Sequence, residues 1–372
     1  MMKTIKFLMM AATLMTAVSF TACSDDDDAA DPVSNMERYQ RAVDSTVKNQ
    51  KKHDKAILLV AFGSTWQQAY DAFDNTVEEY QAEFPDYDVY LSFSSAICIN
   101  RAAAGENTDK RSFYEPKYWL EAFGRVQYSE IIVQSMQVIP GEEFSRVVNA
   151  MKDFGNNSNG DLDDEYLSQM TLKLGMPLMY TEDDATTLAT ALDENLRAYA
   201  NQGAMLLMGH GNPDEYDTYK ANVRYTQLET ALQDINPNYF VGTVDMADNF
   251  KVQVHNRMVE ADITAGKVFC APLMSIAGDH AHNDMAGDDD EWEADMATQT
   301  EDEAEDVSWK KYFEHLGYTI EEDPYYTDEG ADALVKGLLE YDNIRRIYIQ
   351  HTQEAEVMSL INIYEPTILT RR

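Results

Sequence analysis

The sequence predicts an α/β protein built from two similar, doubly wound parallel-sheet halves with a cleft between them. Continuous apolar runs alternate along the chain with longer amphipathic stretches, a pattern typical of parallel strands covered by helices on both faces. Two pairs of segments resemble each other at a separation of somewhat less than half the chain, which indicates an internal duplication. The length of 372 residues is enough for two domains of ordinary size.

The first half is predicted to form its sheet around strand 56–62. This segment, Ala-Ile-Leu-Leu-Val-Ala-Phe, is apolar throughout and therefore typical of a strand that is buried on both faces. Pro85 ends the helix that follows it. The predicted elements of this half are helix 36–50, strand 56–62, helix 67–84, strands 88–93 and 130–138, and helix 142–154.

The second half repeats this rhythm. Its predicted strands are 204–208, 239–244, 267–275 and 318–322, and its predicted helices are 216–232, 249–264 and 308–316. Segment 56–64 aligns with 204–212, and segment 136–143 aligns with 273–280. These alignments place His210 where the first half has Phe62, and His280 where it has Glu143. We therefore expect the second half to carry the chemistry.

Composition excludes several classes of function. The 66 acidic and 29 basic residues give a formal net charge of −37, so the chain repels nucleic acid. Three cysteines cannot form a disulfide framework or a thiolate zinc site. The sequence lacks the glycine-rich and catalytic motifs of dinucleotide-binding proteins, P-loop enzymes, zincins and serine hydrolases. No organic cofactor is expected.

The amino-terminal residues predict export. Residues 1–6 are short and basic, residues 7–20 are apolar, and Thr21 and Ala22 precede Cys23. This order is typical of a cleavable secretory signal, and a cysteine after small residues resembles a bacterial lipoprotein signal. We expect Cys23 to be lipidated and to anchor the protein in the periplasm or at the outer membrane. The alternative is a secreted protein without a lipid.

Two histidines and one aspartate form the candidate metal site. His210, Asp245 and His280 each follow a different predicted strand of the second half. Carboxyl ends of parallel strands meet at one edge of a sheet, where ligands bind. Two imidazoles and a carboxylate suit a divalent ion such as Co²⁺, Ni²⁺, Fe²⁺ or Zn²⁺. A single histidine in such a place more often makes a structural hydrogen bond, whereas the three together favour a metal site.

These observations divide the chain into four parts. The predicted parts are a signal peptide at 1–22, a lipid-anchored tether and lead-in helix at 23–54, an N-terminal α/β half at 55–180 and a C-terminal α/β half with the metal site at 181–372. A linker is expected near 156–180, where the polar run Asn-Asn-Ser-Asn-Gly begins.

Several motifs resemble the anaerobic sirohydrochlorin cobaltochelatases of the class II tetrapyrrole chelatases. They are LLVAFGST at 58–65, VIPGEE at 138–143, MGHG at 208–211, VGTVD at 241–245 and AGDHAHNDMAGD at 277–288. The resemblance implies a chelatase-like fold of two α/β halves with a tetrapyrrole cleft. It implies ATP-independent insertion of Co²⁺ into sirohydrochlorin in anaerobic cobalamin biosynthesis, with Fe²⁺ or Ni²⁺ as alternative metals.

The resemblance also assigns roles to single residues. His210 and His280 match the metal-binding histidines of the family, and His210 is the expected proton acceptor. Asp245 stands where the family has glutamate, so it is one methylene shorter, and Met246 replaces a glycine. The expected substrate-binding residues are Ser64, Trp66 and Glu143. Candidate cations for the acid side chains of the tetrapyrrole are Arg101, Arg125 and Arg224.

The export signal conflicts with a cytoplasmic biosynthetic role. The alternative is therefore an extracytoplasmic lipoprotein that binds a tetrapyrrole or a metal for scavenging of haem, iron or corrinoid, without turnover. The expected partners are the tetrapyrrole and the membrane, and nucleic acid is not expected. A homo-oligomer is a further possibility.

Overall fold

The computed structural model describes residues 34–105, 108–288, 292, 307–321 and 334–358. The predicted signal peptide and the lipidation of Cys23 lie outside these residues. Within the described ranges, no helix combines the length and the apolar character that a membrane crossing requires.

The first sheet has five strands around a fully apolar centre. Its spatial order is β2 (Asp88–Phe93), β1 (Lys55–Ala61), β3 (Glu130–Ser135), β4 (Thr171–Gly175) and β9 (Glu356–Val357). The first four strands are parallel, and β9 pairs antiparallel with β4. Every residue of β1 after Lys55 is buried. The continuous apolar run of the sequence thus reflects a central strand that is covered on both faces.

The second sheet has the same strand order as the first four strands of the first sheet. Its order is β6 (Tyr239–Thr243), β5 (Ala204–Gly209), β7 (Lys267–Leu273) and β8 (Thr319–Ile320), and all four strands are parallel. In each half the second strand along the chain lies at one edge, beside the first. The structure therefore confirms the predicted α/β class with two parallel sheets, and this repeated order is what a duplication produces.

Helices cover both sheets. Those of the first half are α1 (Asn35–Gln50), α2 (Gln67–Glu83), α3 (Ala96–Ala104), α4 (Pro116–Arg125), α5 (Glu142–Gly155) and α6 (Asp164–Gln169). Those that follow are α7 (Glu182–Ala200), α8 (Val223–Ile235), α9 (Lys251–Glu260), a π-helix (His280–Met285), α10 (Trp309–His315), a short 3₁₀ turn (Leu338–Glu340) and α11 (Asp342–Gln353).

Two local predictions are wrong. The segment expected to be a linker contains α6 and β4, because the short alternating sequence of β4 buries Leu172 and Leu174 at the side of the sheet. The helix expected from residue 216 begins at Val223. The carboxylate of Asp217 accepts hydrogen bonds from the backbone N–H groups of Ala221, at 2.7 Å, and Asn222, at 3.2 Å, which holds the preceding residues in a loop.

The end of the described chain returns to the first sheet. Helix α11 packs against β3 and β4, and β9 then pairs with β4. The hydroxyl of Tyr348 on α11 donates to the carbonyl oxygens of Met136, at 3.1 Å, and Gln137, at 3.2 Å. Ser275 of the second half also donates to the Met136 carbonyl. The domain limits stay a prediction. The structure adds that residues 342–357 pack against the first sheet and extend it.

Candidate active site

A cavity of about 300 Å³ lies between the halves, at the carboxyl ends of strands from both sheets. Loops that follow β1 and β3 form its first-half wall, and loops that follow β5 and β7 form the opposite wall. This is the position in which open parallel sheets bind ligands. Gly141 and Asn212 bring the walls together, since a Cβ at Gly141 would lie 2.3 Å from the Asn212 side-chain oxygen.

His210 and Asp245 line this cavity and contact each other. They follow β5 and β6, which are neighbours in the sheet, and the backbone N–H of Asp245 donates to the carbonyl of His210 at 2.9 Å. The Nδ1 atom of His210 lies 3.1 Å from Asp245 Oδ2 and 2.9 Å from the carbonyl oxygen of Gly211. Both neighbours are acceptors, so we assign the ring proton to Nδ1. Nε2 is then the nitrogen that can accept a proton or bind a metal.

His280, like His210, has a carboxylate beside its Nδ1 atom. It begins the π-helix, and its Nδ1 atom lies 2.5 Å from Oδ2 of Asp284, four residues further along. The hydrogen bond to Asp284 raises the pKa of His280 above its ordinary value, against the opposite effect of burial. Each histidine thus has a carboxylate on Nδ1, the arrangement in which proteins commonly orient metal-binding imidazoles.

The two imidazoles lie side by side. The ring centroids of His210 and His280 are 5.1 Å apart, with an interplanar angle of 82°. Asp245 lines the same cavity, but its carboxylate is directed to Nδ1 of His210. In the described part of the chain, no three His, Cys, Asp or Glu side chains are arranged to hold a metal ion together. Coordination by all three residues thus requires their side chains to rearrange, and the shared metal site stays a prediction.

The predicted substrate-binding residues lie on the first-half side. Ser64 is buried and Glu143 is largely buried, and both line the cavity, whereas Trp66 is not among its described lining residues. The indole Nε1 of Trp66 donates to Asp279 Oδ1 at 2.7 Å, and its ring stacks on His282 with centroids 3.8 Å apart. Trp66 therefore braces the loop that leads to His280, and its contact with a substrate stays a prediction.

Glu143 occupies the place in the first half that His280 has in the second. Burial raises the pKa of its carboxyl group, while Arg146, at 3.1 Å, and the hydroxyl of Ser94, at 2.9 Å, act in the opposite direction. The carboxylate also interacts electrostatically with His210. Glu143 and His210 therefore influence each other's charge from opposite walls of the cavity.

One residue of the site, Asp284, is not among the residues predicted from the sequence. Its spacing of four residues from His280, whose Nδ1 it contacts, is the signal that could have identified it. Of the three candidate arginines, Arg101 lines the cavity. Neither of the other two candidate arginines does: Arg125 pairs with Asp44 at 2.9 Å, and Arg224 donates to the carbonyl of Tyr180 at 3.1 Å.

Comparisons with known proteins agree with these motifs. The family model described as cobalt chelatase (CbiK) matches residues 55–300. The sirohydrochlorin cobaltochelatase of Salmonella typhimurium is 25% identical over 307 residues, which cover 82% of this chain and 98% of that protein. The sirohydrochlorin cobaltochelatase CbiKC of Nitratidesulfovibrio vulgaris is 27% identical over 306 residues, 81% of this chain and 90% of that protein.

A search of solved structures matches SirB from Bacillus subtilis with Fe³⁺, at 11% sequence identity and a TM-score of 0.49, over 81% of this chain and 94% of that one. The family model is the decisive match, because it covers well over half of the chain. The resemblance seen in the sequence is therefore confirmed, and the chain belongs to the CbiK cobalt chelatase family.

Proposed function

We propose that this protein is a sirohydrochlorin cobaltochelatase, a lyase that inserts a divalent metal ion into sirohydrochlorin without ATP in anaerobic cobalamin biosynthesis. The observation that carries the proposal is the cavity between the halves, lined by two histidines that each have a carboxylate on Nδ1. The names of both curated relatives support the same substrate. Co²⁺ is the proposed metal, with Fe²⁺ and Ni²⁺ as alternatives.

Metal insertion makes two chemical demands on the protein. Two pyrrole N–H protons must leave the macrocycle, and the metal must exchange protein ligands for macrocycle nitrogens. Nε2 of His210 can meet the first demand, because an imidazole whose Nδ1 proton is hydrogen-bonded to a carboxylate leaves the lone pair of Nε2 available to accept a proton. The same atom can bind the metal. We assign His210 as base and ligand.

His280 and Asp245 are the proposed partners of His210 in holding the incoming ion. Nitrogen and oxygen donors together suit borderline divalent ions, and a site with open positions lets the macrocycle take the metal over. Ser64, Trp66 and Glu143 are the proposed substrate-binding residues. Glu143 is an acid, so its contact with an anionic substrate would run through water or through a protonated carboxyl group, which burial favours.

The test is an insertion assay with purified protein, sirohydrochlorin and one of the metals Co²⁺, Fe²⁺ and Ni²⁺. The insertion rate is measured from the absorbance of the product. We expect insertion above the uncatalysed rate, fastest with Co²⁺, and loss of that rate in His210→Ala. His53→Ala is the matched control, because His53 pairs with Asp88 outside the cavity and should keep the parent rate. Insertion no faster than without protein would contradict the proposal.

The amino-terminal sequence supports a second candidate, an extracytoplasmic lipoprotein that binds a tetrapyrrole or a metal without turnover. The basic start, the apolar run and Cys23 after small residues are what favour it. We propose export and lipid anchoring at Cys23 under either candidate. Tight binding of sirohydrochlorin without insertion of any of the three metals would favour the second candidate.

A further inference from the structure

Arg101 gives the cavity a positive group in a negative environment. Among the described residues that line the cavity it is the only arginine or lysine, whereas four carboxylates line it: Glu142, Glu143, Asp245 and Asp279. The proposed substrate carries carboxylate side chains, which such a wall repels. An anionic macrocycle therefore needs a cation in this place, and a guanidinium is the group best suited to a carboxylate.

The ion pair between Arg101 and Asp279 is loose. The terminal nitrogen of Arg101 lies 3.5 Å from Asp279 Oδ2, and both side chains are about half exposed, at 48% and 52%. Close charged hydrogen bonds have lengths of about 2.7–2.9 Å. Arg111 shows such a bond with Asp74, at 2.7 Å. The guanidinium of Arg101 can therefore leave Asp279 at little cost, because an exposed and long ion pair contributes little free energy.

Asp279 does not depend on Arg101 for its position. Its second carboxylate oxygen, Oδ1, accepts the hydrogen bond from Trp66 at 2.7 Å. Trp66 is itself held by its stacking on His282, with a ring centroid separation of 3.8 Å. When Arg101 turns towards another carboxylate, Asp279 thus keeps a partner and the wall of the cavity keeps its shape.

We propose that Arg101 binds a peripheral carboxylate of the tetrapyrrole, and that it exchanges its ion pair with Asp279 for this contact when the substrate binds. Arg101 thereby selects macrocycles with acid side chains. The inference rests on the proposed function for the identity of the substrate, but it concerns binding and not metal insertion. Binding can therefore be measured on its own, in the absence of metal.

The experiment measures the Kd of sirohydrochlorin by absorbance titration without metal, and then the rate of Co²⁺ insertion at saturating sirohydrochlorin. We expect Arg101→Ala to raise the Kd about tenfold or more, since a charged hydrogen bond is lost. Arg101→Lys should restore part of the affinity. The insertion rate at saturating sirohydrochlorin should fall by a smaller factor than the affinity, since Arg101 acts on binding. Arg111→Ala, which breaks an ion pair outside the cavity, is the matched control and should keep the parent Kd.

The Asp279→Asn variant distinguishes two roles of the ion pair. Arg101 either exchanges Asp279 for a substrate carboxylate, or the pair only maintains the shape of the cavity wall. The amide oxygen can still accept from Trp66, but the negative charge that competes for Arg101 is gone. We expect the Kd to fall by about two- to fivefold, the size of an exposed ion pair. If the pair only shapes the wall, Asp279→Asn will raise the Kd as Arg101→Ala does, and the inference is overturned.

Methyl-esterified sirohydrochlorin completes the test. The parent should bind the ester more weakly than the acid, and Arg101→Ala should lose most of that preference. Parent-like affinity for the acid in Arg101→Ala overturns the inference and leaves the proposed function intact. Binding by the parent without metal insertion overturns the proposed function, while the effect of Arg101 on binding still supports the inference.

Discussion

Nδ1 of His210 lies 3.1 Å from Oδ2 of Asp245, across the ends of two neighbouring parallel strands. The contact has a chemical consequence, because a carboxylate on Nδ1 directs the lone pair of the imidazole to Nε2. It also makes Asp245 either a ligand of the metal or the residue that orients a ligand. The resemblance to the chelatases implies a glutamate at this position, whereas the Asp245 side chain here contacts the neighbouring ring of His210.

We expect Asp245→Ala to weaken Co²⁺ binding by about 10- to 100-fold, because the variant loses either a metal ligand or the group that orients one. Asp245→Glu should retain binding close to that of the parent, since it keeps the carboxylate and its charge. Isothermal titration with Co²⁺ measures both affinities. Unchanged affinity in Asp245→Ala would show that the carboxylate takes no part in metal binding.

Asp284 should matter for the metal through His280. Its Oδ2 lies 2.5 Å from Nδ1 of His280, so Asp284→Ala removes the group that orients the ring. We expect a loss of Co²⁺ affinity of about 10- to 100-fold with little change in thermal stability, because the carboxylate is about half exposed. The matched control is Asn283→Ala in the same π-helix, which should bind Co²⁺ as the parent does. Equal affinities in both variants would argue against this role.

The ion pair between His351 and Asp184 should make stability depend on pH. His351 on α11 is largely buried, and its Nε2 atom lies 3.5 Å from Asp184 Oδ1. Burial alone lowers the pKa of His351, but the pair with Asp184 outweighs it and raises that pKa above 6.5. Burial likewise raises the pKa of Asp184, but hydrogen bonds from His351 and Thr181 outweigh it and hold that pKa below 3.8.

The sign of the effect follows from these two shifts. The contribution of His351 to the free energy of unfolding is fully present below its unfolded pKa of about 6.5. This contribution is lost as pH rises through the raised pKa of the folded state. The contribution of Asp184 to the free energy of unfolding is present above about pH 3.8 and is lost as pH falls through its lowered folded pKa. We therefore expect His351→Gln to cost about 1 kcal/mol more at pH 5.5 than at pH 9 in urea unfolding. An equal cost at both pH values would contradict this account.

Cys23 should decide whether the protein fractionates with membranes. The apolar run before Thr21, Ala22 and Cys23 predicts lipid attachment at that cysteine after export. Cys23→Ser should leave an unprocessed chain without lipid, detected by mass spectrometry and by a shift from the detergent-soluble to the aqueous fraction. Identical processing and fractionation of the variant would show that the anchor is absent.

Much of the fold could be predicted from local patterns. Strand β1 was predictable because a central parallel strand is apolar at nearly every position. Strand β4 was missed because it has five residues and only part of it is buried. The return of α11 and β9 to the first sheet depends on contacts between residues more than 170 apart, such as Leu174 with Glu356, which no local pattern predicts.

For the site, too, the positions of residues along the chain were predictable, whereas their contacts in the folded protein were not. That His210, Asp245 and His280 would line one cavity followed from their places after parallel strands. The ring orientations did not follow, because they depend on hydrogen bonds to Asp245 and Asp284 that only the folded chain makes. The stacking of Trp66 on His282 joins the two halves, so it too required the tertiary structure.

A crystal structure of the protein with Co²⁺ tests the central claim most directly. We expect a single ion at the cavity between the halves, with Nε2 of His210 and Nε2 of His280 each at about 2.0–2.2 Å. Asp245 should either bind the ion or stay on Nδ1 of His210. An ion bound elsewhere, or histidine nitrogens too far apart to share one ion, would contradict the assignment of this cavity as the site of metal insertion.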